Sequence, residues 1–182
     1  MRPRPGELLH FSEDPTITEF LPHVAATAQQ PEAYVWTVDH AHAPSYWFPR
    51  DCPRAMAWSV AATTPADRDR IIGAGAGERV HVIEYGWLAR LQSVRLYAYR
   101  FAADPFEPFG EEGSPHAYVA RERVVPLGPA EPVGDLLAAH AEAGIQLRLL
   151  PNLWPFWAEV TASTVAFSGI RMRNAISSPS SG

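Results

Sequence analysis

The spacing of apolar positions changes often along this chain, and over short distances. Arg79–Glu84 (R-V-H-V-I-E) alternates strictly, placing Val80 and Val82 on one strand face and His81 and Ile83 on the other. Arg95–Phe101 (R-L-Y-A-Y-R-F) alternates in the same way. Leu8–Phe11, Tyr34–Val38, Arg54–Val60, His116–Val125 and Ile145–Leu150 are further short runs of strand formers. Helical signals fall between them. Thr64 before Pro65 reads as an N-cap followed by proline at the first helical position, with the helix running to about Ile72 and ended by Gly73. Tyr85–Leu91 carries Trp87, Leu88 and Leu91 at helical spacing, and His40–Phe48 reads as a short helix kinked or started at Pro44. Pro132–Ala143 is amphipathic and ends at Gly144, and Asn152–Ala162 has Asn152 as its N-cap. Thr16–Phe20 makes at most one turn, while Pro22–Glu32 and Asp104–Pro115 read as loops.

Short strands and short helices without regular βαβ alternation predict an α+β fold. The expectation is a single domain over residues 7–176, built on a small, mixed, mostly antiparallel sheet of about six short strands. Residues 1–6 and the tail from Ser177 (SSPSSG) are expected to be flexible termini. The glycine run Gly73-Ala-Gly-Ala-Gly77 lacks a GK[ST] ending and lies between a helix and a strand, the reverse of a phosphate loop, so it reads as a linker.

Composition narrows the function classes. The 182 residues carry a net charge of −5, which argues against non-specific nucleic-acid binding, because that affinity comes from neutralising phosphates. All fifteen basic residues are arginine, so a Schiff-base or catalytic lysine is excluded. The single cysteine, Cys52, rules out an intramolecular disulfide and a cysteine-rich zinc site. The N-terminal stretch lacks the apolar core of a signal peptide and no apolar run approaches the ~20 residues of a membrane span. These features give the expectation of a cytoplasmic protein with no membrane partner.

Chemistry concentrates in Tyr34–Arg54, which combines five aromatic residues with Asp39, His40, His42, Arg50, Asp51, Cys52 and Arg54. Arg50 and Arg54 offer two guanidinium forks to a phosphate or carboxylate; alternatively Arg50 pairs with Asp51 or a backbone carbonyl and pins the loop. Asp39, His40 and His42 suggest a metal site at first reading, but their spacing does not place both histidines on one helical face and no HExxH partner exists, so no metal is expected. Cys52 has arginine neighbours that favour a thiolate, against the burial more usual for a lone cysteine. His10 stands at a strand end beside Ser12, Glu13 and Asp14, where binding groups gather. Strict alternation places Glu122 on a late strand beside Tyr118 and Val124, and His81 and Glu84 on opposite faces of theirs.

The runs L-L-H-F-S-E-D-P and V-W-T-V-D-H-A-H-A-P-S-Y-W-F-P-R-D-C-P-R, with R-L-L-P-N-L-W-P-F-W and F-S-G-I-R-M-R-N-A further on, resemble an uncharacterised bacterial family over about residues 8–175. More distantly, the order of His10, Tyr46 and Glu122 is similar to that in the ADP-ribosyltransferase and RNA 2′-phosphotransferase superfamily. That resemblance implies that His10 holds a cofactor ribose, Tyr46 stacks on nicotinamide and Glu122 orients the attacked ribose. NAD is then the implied cofactor, with Ser12, Trp36, Arg50 and Arg54 as its binding residues. No Ser-Thr-Ser or Glu-x-Glu pattern precedes Glu122. Two readings result: a nucleotide-binding protein with ADP-ribosyl-transfer-like chemistry, or a non-catalytic binding module for a small anionic ligand or protein partner.

Overall fold

The computed structural model describes residues 1–24, 32–75, 77–111 and 114–177. Most of the loop expected over Pro22–Glu32, one residue of the glycine linker, and all of the expected tail except Ser177 lie outside the described residues. The strands, in chain order, are β1 (Glu7–Ser12), β2 (Val35–Thr37), β3 (Arg54–Trp58), β4 (Arg79–Glu84), β5 (Tyr97–Ala102), β6 (Glu107–Glu111), β7 (Ser114–Ala120), β8 (Glu131–Pro132), β9 (Ile145–Leu150) and β10 (Ala166–Ile170). The helices are α1 (Pro65–Asp67), α2 (Leu88–Ser93), α3 (Leu136–Glu142) and α4 (Trp154–Thr161). The fold is α+β with mostly antiparallel pairing, as the pattern predicts. Its strands fall into three sheets, however, ordered β1-β5-β8, β2-β7-β6 and β10-β3-β4-β9. The ten described strands exceed the expected six or so because β6, β8 and β10 carry too little alternation to be read from the sequence, and their division among three sheets follows from pairings between distant segments.

Contacts group the chain into two compact units, Met1–Trp47 with Arg95–Gly134, and Phe48–Val94 with Asp135–Gly182. In the first, β1 and β5 pair antiparallel with His10 opposite Tyr99. Alternation on β5 sends Tyr99 and Phe101 into a core with Phe20, Val35, Ala120 and Val124. Burying a side chain of that size contributes about 1.5–3 kcal/mol. The other face of β5 presents Arg100, which pairs with Glu7 at 2.8 Å and Glu131 at 2.8 Å. The strand read over His116–Val125 ends at Ala120, and β6, which contains Pro108, is an edge strand, the position where a residue without an N–H is tolerated.

In the second unit β3 and β4 are the inner strands of their sheet, and β4 runs antiparallel to β3 and parallel to β9. Its alternation divides the two faces as expected. Val80 and Val82 join Ala55, Ala57, Ile71, Ile72, Leu153, Val160 and Val165 in one core, while His81 turns toward Phe48 and His140. Thr64 caps α1 by accepting the Asp67 amide at 3.2 Å, and the chain then continues as a π turn over Arg68–Ile72, ended at Gly73. Asp135 caps α3 by accepting the Leu137 and Ala138 amides at 2.8 and 3.1 Å. In the glycine linker Gly77 has φ of +91°, and a Cβ there would collide with the Gly144 carbonyl oxygen, so only glycine fits.

Candidate functional site

His10 is the best-defined of the sequence-predicted residues. Leu9 and Val38 exchange backbone hydrogen bonds at 2.9 Å, which brings β1 alongside β2. The His10 Nδ1 then lies 2.8 Å from the Trp36 carbonyl oxygen. A carbonyl only accepts, so Nδ1 carries the proton, and Nε2 of the neutral ring is the acceptor. The ring packs 4.8 Å from Phe20, tilted by 57°. Phe20 meets Tyr99 and Phe101 edge-on, and its backbone exchanges hydrogen bonds with Val124 at 2.9 and 3.0 Å. Four segments therefore meet around one half-buried imidazole.

The polar run after His10 folds on itself. The Ser12 hydroxyl oxygen accepts the Asp14 amide at 3.1 Å, and the Asp14 carboxylate accepts the Thr16 amide and hydroxyl at 2.8 and 2.7 Å. The bonds from Thr16 hold the Asp14 carboxyl below its ordinary value. The Tyr99 hydroxyl donates to the Asp14 carbonyl at 2.7 Å and accepts the Ile17 amide at 3.0 Å, tying this turn to β5. Ser12 shares a strand face with His10, two residues away. One of its roles is thus to shape the turn.

Trp36 and Phe109 pack edge to face at 4.8 Å, with Tyr34 against both at 5.7 Å. The Arg121 guanidinium lies over the Tyr34 ring at 4.9 Å. Tyr46 ends a 3₁₀ turn, Ala43–Tyr46, and is half-buried. Asp39 starts that turn: its Oδ1 meets the His42 amide at 2.9 Å and the His42 Nδ1 at 2.8 Å. Burial pushes the Asp39 carboxyl up, but the hydrogen bonds from His42 outweigh it and the net shift is downward. His40 instead meets Arg2, at 3.1 Å through its Nδ1. Among the described residues no group of three His, Cys, Asp or Glu side chains is placed to hold a metal.

Two predicted positions differ from expectation. Glu122 does not sit on a strand; it occupies the bend after β7 and is exposed. The strand stops at Ala120 because β2 and β6 offer no backbone partner beyond that point. Glu122 and Val124, with Phe101, Phe106 and Leu127, line a surface depression of about 250 Å³. Arg54 is buried at 3% exposure, with its Nη1 donating to the Cys52 carbonyl at 2.9 Å and its guanidinium 5.1 Å from the centre of the Phe48 ring. Its guanidinium braces the loop from within. Arg50 is exposed on that loop, and its carbonyl accepts from Arg171 Nε at 3.3 Å. His10, Ser12, Trp36, Tyr46 and Glu122 belong to the first unit, and Arg50 and Arg54 to the second.

Sequence reasoning missed Phe20, whose ring faces His10, and His140, whose ring faces His81. The only signal for Phe20 is an aromatic residue closing a short apolar turn, and for His140 a histidine on the inner side of an amphipathic helix. Residues 9–175 match the model of a family of unknown function (DUF6886). No curated protein and no solved structure matches the chain.

Proposed function

Because the chain belongs to this family of unknown function, its activity has to be read from its own residues, and we propose that its first unit binds an NAD-like or other phosphorylated nucleotide beside His10. The observation that carries this reading is the 2.8 Å bond from His10 Nδ1 to the Trp36 carbonyl. It fixes the ring and its tautomer, so the imidazole presents a defined edge to a ribose. Trp36 and Tyr46, both half-buried in the same unit, supply aromatic surface for a base or nicotinamide ring. Arg54 has no part in this, since its guanidinium is buried.

In the sharper form of the reading, the bound nucleotide undergoes ADP-ribosyl transfer. The bond from ribose C1′ to the nicotinamide nitrogen breaks, nicotinamide leaves with the bonding pair, and an acceptor oxygen bonds to C1′ while its proton passes to water. Glu122 is the carboxylate offered for stabilising the positive charge that develops on the ribose. The exposed position of Glu122 outside any strand favours the second reading, in which this unit binds without transferring.

A thermal-shift titration with NAD, ADP-ribose and a 2′-phosphorylated dinucleotide tests the proposal. Ligand at 100 times its dissociation constant adds about 2.7 kcal/mol of stability, or roughly 5–10 °C for a chain of this length. The expected outcome is a shift with at least one ligand that His10→Ala abolishes. Absence of any shift at millimolar ligand overturns it. Release of nicotinamide from NAD, lost in Glu122→Gln while binding persists, separates transfer from binding alone.

A further inference from the structure

Two histidines lie at the centre of the second unit, His81 with no exposure and His140 with 1%. Their hydrogen bonds form one continuous chain. Arg79 Nε lies 2.7 Å from His81 Nε2, His81 Nδ1 lies 3.0 Å from His140 Nε2, and His140 Nδ1 lies 2.7 Å from the Leu136 carbonyl oxygen. Both ends of the chain have fixed roles. An arginine N–H only donates, so His81 Nε2 must accept, and a carbonyl only accepts, so His140 Nδ1 must donate. With both rings neutral, the middle contact has one solution: His81 Nδ1–H donates to His140 Nε2. Four ring nitrogens carry two protons, each at a determined atom.

A third proton has no place in this chain. On His140 Nε2 it would face the N–H of His81 Nδ1, and on His81 Nε2 it would face the N–H of Arg79. From β3, Arg54 adds a second positive charge and Met56 is the register neighbour of His81; from β9 the neighbour is Leu147. Phe48 packs its ring 5.5 Å from His81 and 5.0 Å from His140. On α3 itself, Asp135 is committed to the N-cap and Glu142 is exposed; on α2, which packs against α3, Arg90 is exposed. The Glu84 carboxylate, on the opposite face of β4, accepts the Ile176 amide at 3.0 Å and the Leu153 amide at 3.4 Å.

We propose that the Arg79–His81–His140 chain is an acid-release lock, which holds α3 against the sheet while both imidazoles are neutral and frees it when either gains a proton. The electrostatics agree in sign. Burial, then the arginines, push His81 well below its ordinary value, and burial pushes His140 down to about 4. The unfolded state titrates near 6.5, so between these values the unfolded chain holds more protons and acid favours it. Above about 6.5 both states are neutral and pH has no effect through these groups. Between pH 7.5 and 4 the loss through His140 alone comes to about 150-fold in the folding equilibrium. Two carboxylates paired to arginines in this unit, Asp67 and Glu78, do not titrate in that window. Arg70 holds Asp67 well below the usual range, and Arg68 holds Glu78 down at about 2.

The test uses the full chain. At pH 7.5, nitrogen-15 NMR of the imidazoles should show both rings protonated at Nδ1 and bare at Nε2. As the pH falls from 7.5 to 4.5, amide exchange corrected for intrinsic rate should accelerate over residues 136–142. An imidazolium signal from His81 or His140 while these amides stay protected overturns the lock, and so does an Nε2–H tautomer on either ring at pH 7.5. In the double variant His81→Gln, His140→Gln, protection of α3 should lose its dependence on pH in this window. Acceleration unchanged in that variant also overturns the proposal. If the variant does not fold, the tautomer and exchange measurements on the native chain decide alone.

Discussion

The Cys52 thiol is fully buried, and its S–H points to the Pro53 carbonyl oxygen at 3.6 Å. Burial pushes its pKa up to about 12, against the opposing pull of Arg54. At pH 8 almost none of it is thiolate, and thiolate is the reactive form. Ellman's reagent should therefore leave the native chain unmodified for hours and titrate one thiol on addition of denaturant; fast reaction without denaturant would show that the site opens. The same residue marks a limit of sequence reading. Two nearby arginines suggested an activated thiol, but which of two opposing effects wins depends on depth, and depth is set by the packing of distant segments. Arg54 lies inward for the same reason, its Nη1 donating to the Cys52 carbonyl. His10 was more legible, because the short run of strand formers that carries it is local, although the strand continues to Ser12 and leaves His10 inside it, whereas the Trp36 carbonyl that orients it comes from 26 residues away.

At the scale of elements, legibility followed the strength of the local pattern. β4 and β5 were readable because both alternate strictly, and the faces predicted for Val80, Val82 and His81 are those that pack. The caps at Thr64 and the end at Gly144 were readable because each rests on a single residue's chemistry. β10 was not, since Ala166–Ile170 contains Ser168 and Gly169 and is held by pairing with β3. Gly169 has a purpose of its own. A Cβ at that position would lie 2.7 Å from the Trp157 ring of α4, whose other ring contact is Phe167 at 5.5 Å, edge to face. Gly169→Ala should force the indole aside and destabilise the chain by about 1–3 kcal/mol, read as a lower denaturation midpoint at unchanged slope. An unchanged midpoint would mean that Trp157 rotates away at no cost.

At the scale of the whole molecule, no composition shift marks the division into two units, and the topology explains why. Each unit is assembled from two separated stretches of chain, which pass between units at residues 47–48, 94–95 and 134–135. All three sheets draw strands from both sides of residue 94. β1 pairs with β5, β2 with β7, β4 with β9 and β3 with β10. A sequence read in order meets each strand long before its partner, so periodicity can show that a strand exists but not which sheet it joins. It follows that neither half of the chain holds a complete sheet. A fragment ending at residue 94 keeps β3 and β4 paired but loses α3, α4 and both outer strands of that sheet, leaving the apolar faces of Val80, Val82, Ala55 and Ala57 without Leu153, Val160 and Val165 over them. It also loses every partner of β1 in the β1-β5-β8 sheet. Two strands without cover are marginal in water. The fragment of residues 1–94 should therefore give a collapsed amide spectrum by NMR, as should residues 95–182, while the two co-expressed should restore dispersion. A dispersed spectrum from either fragment alone would show that the pairings across residue 94 are dispensable, and the interleaved assembly would then not be what each unit depends on to fold.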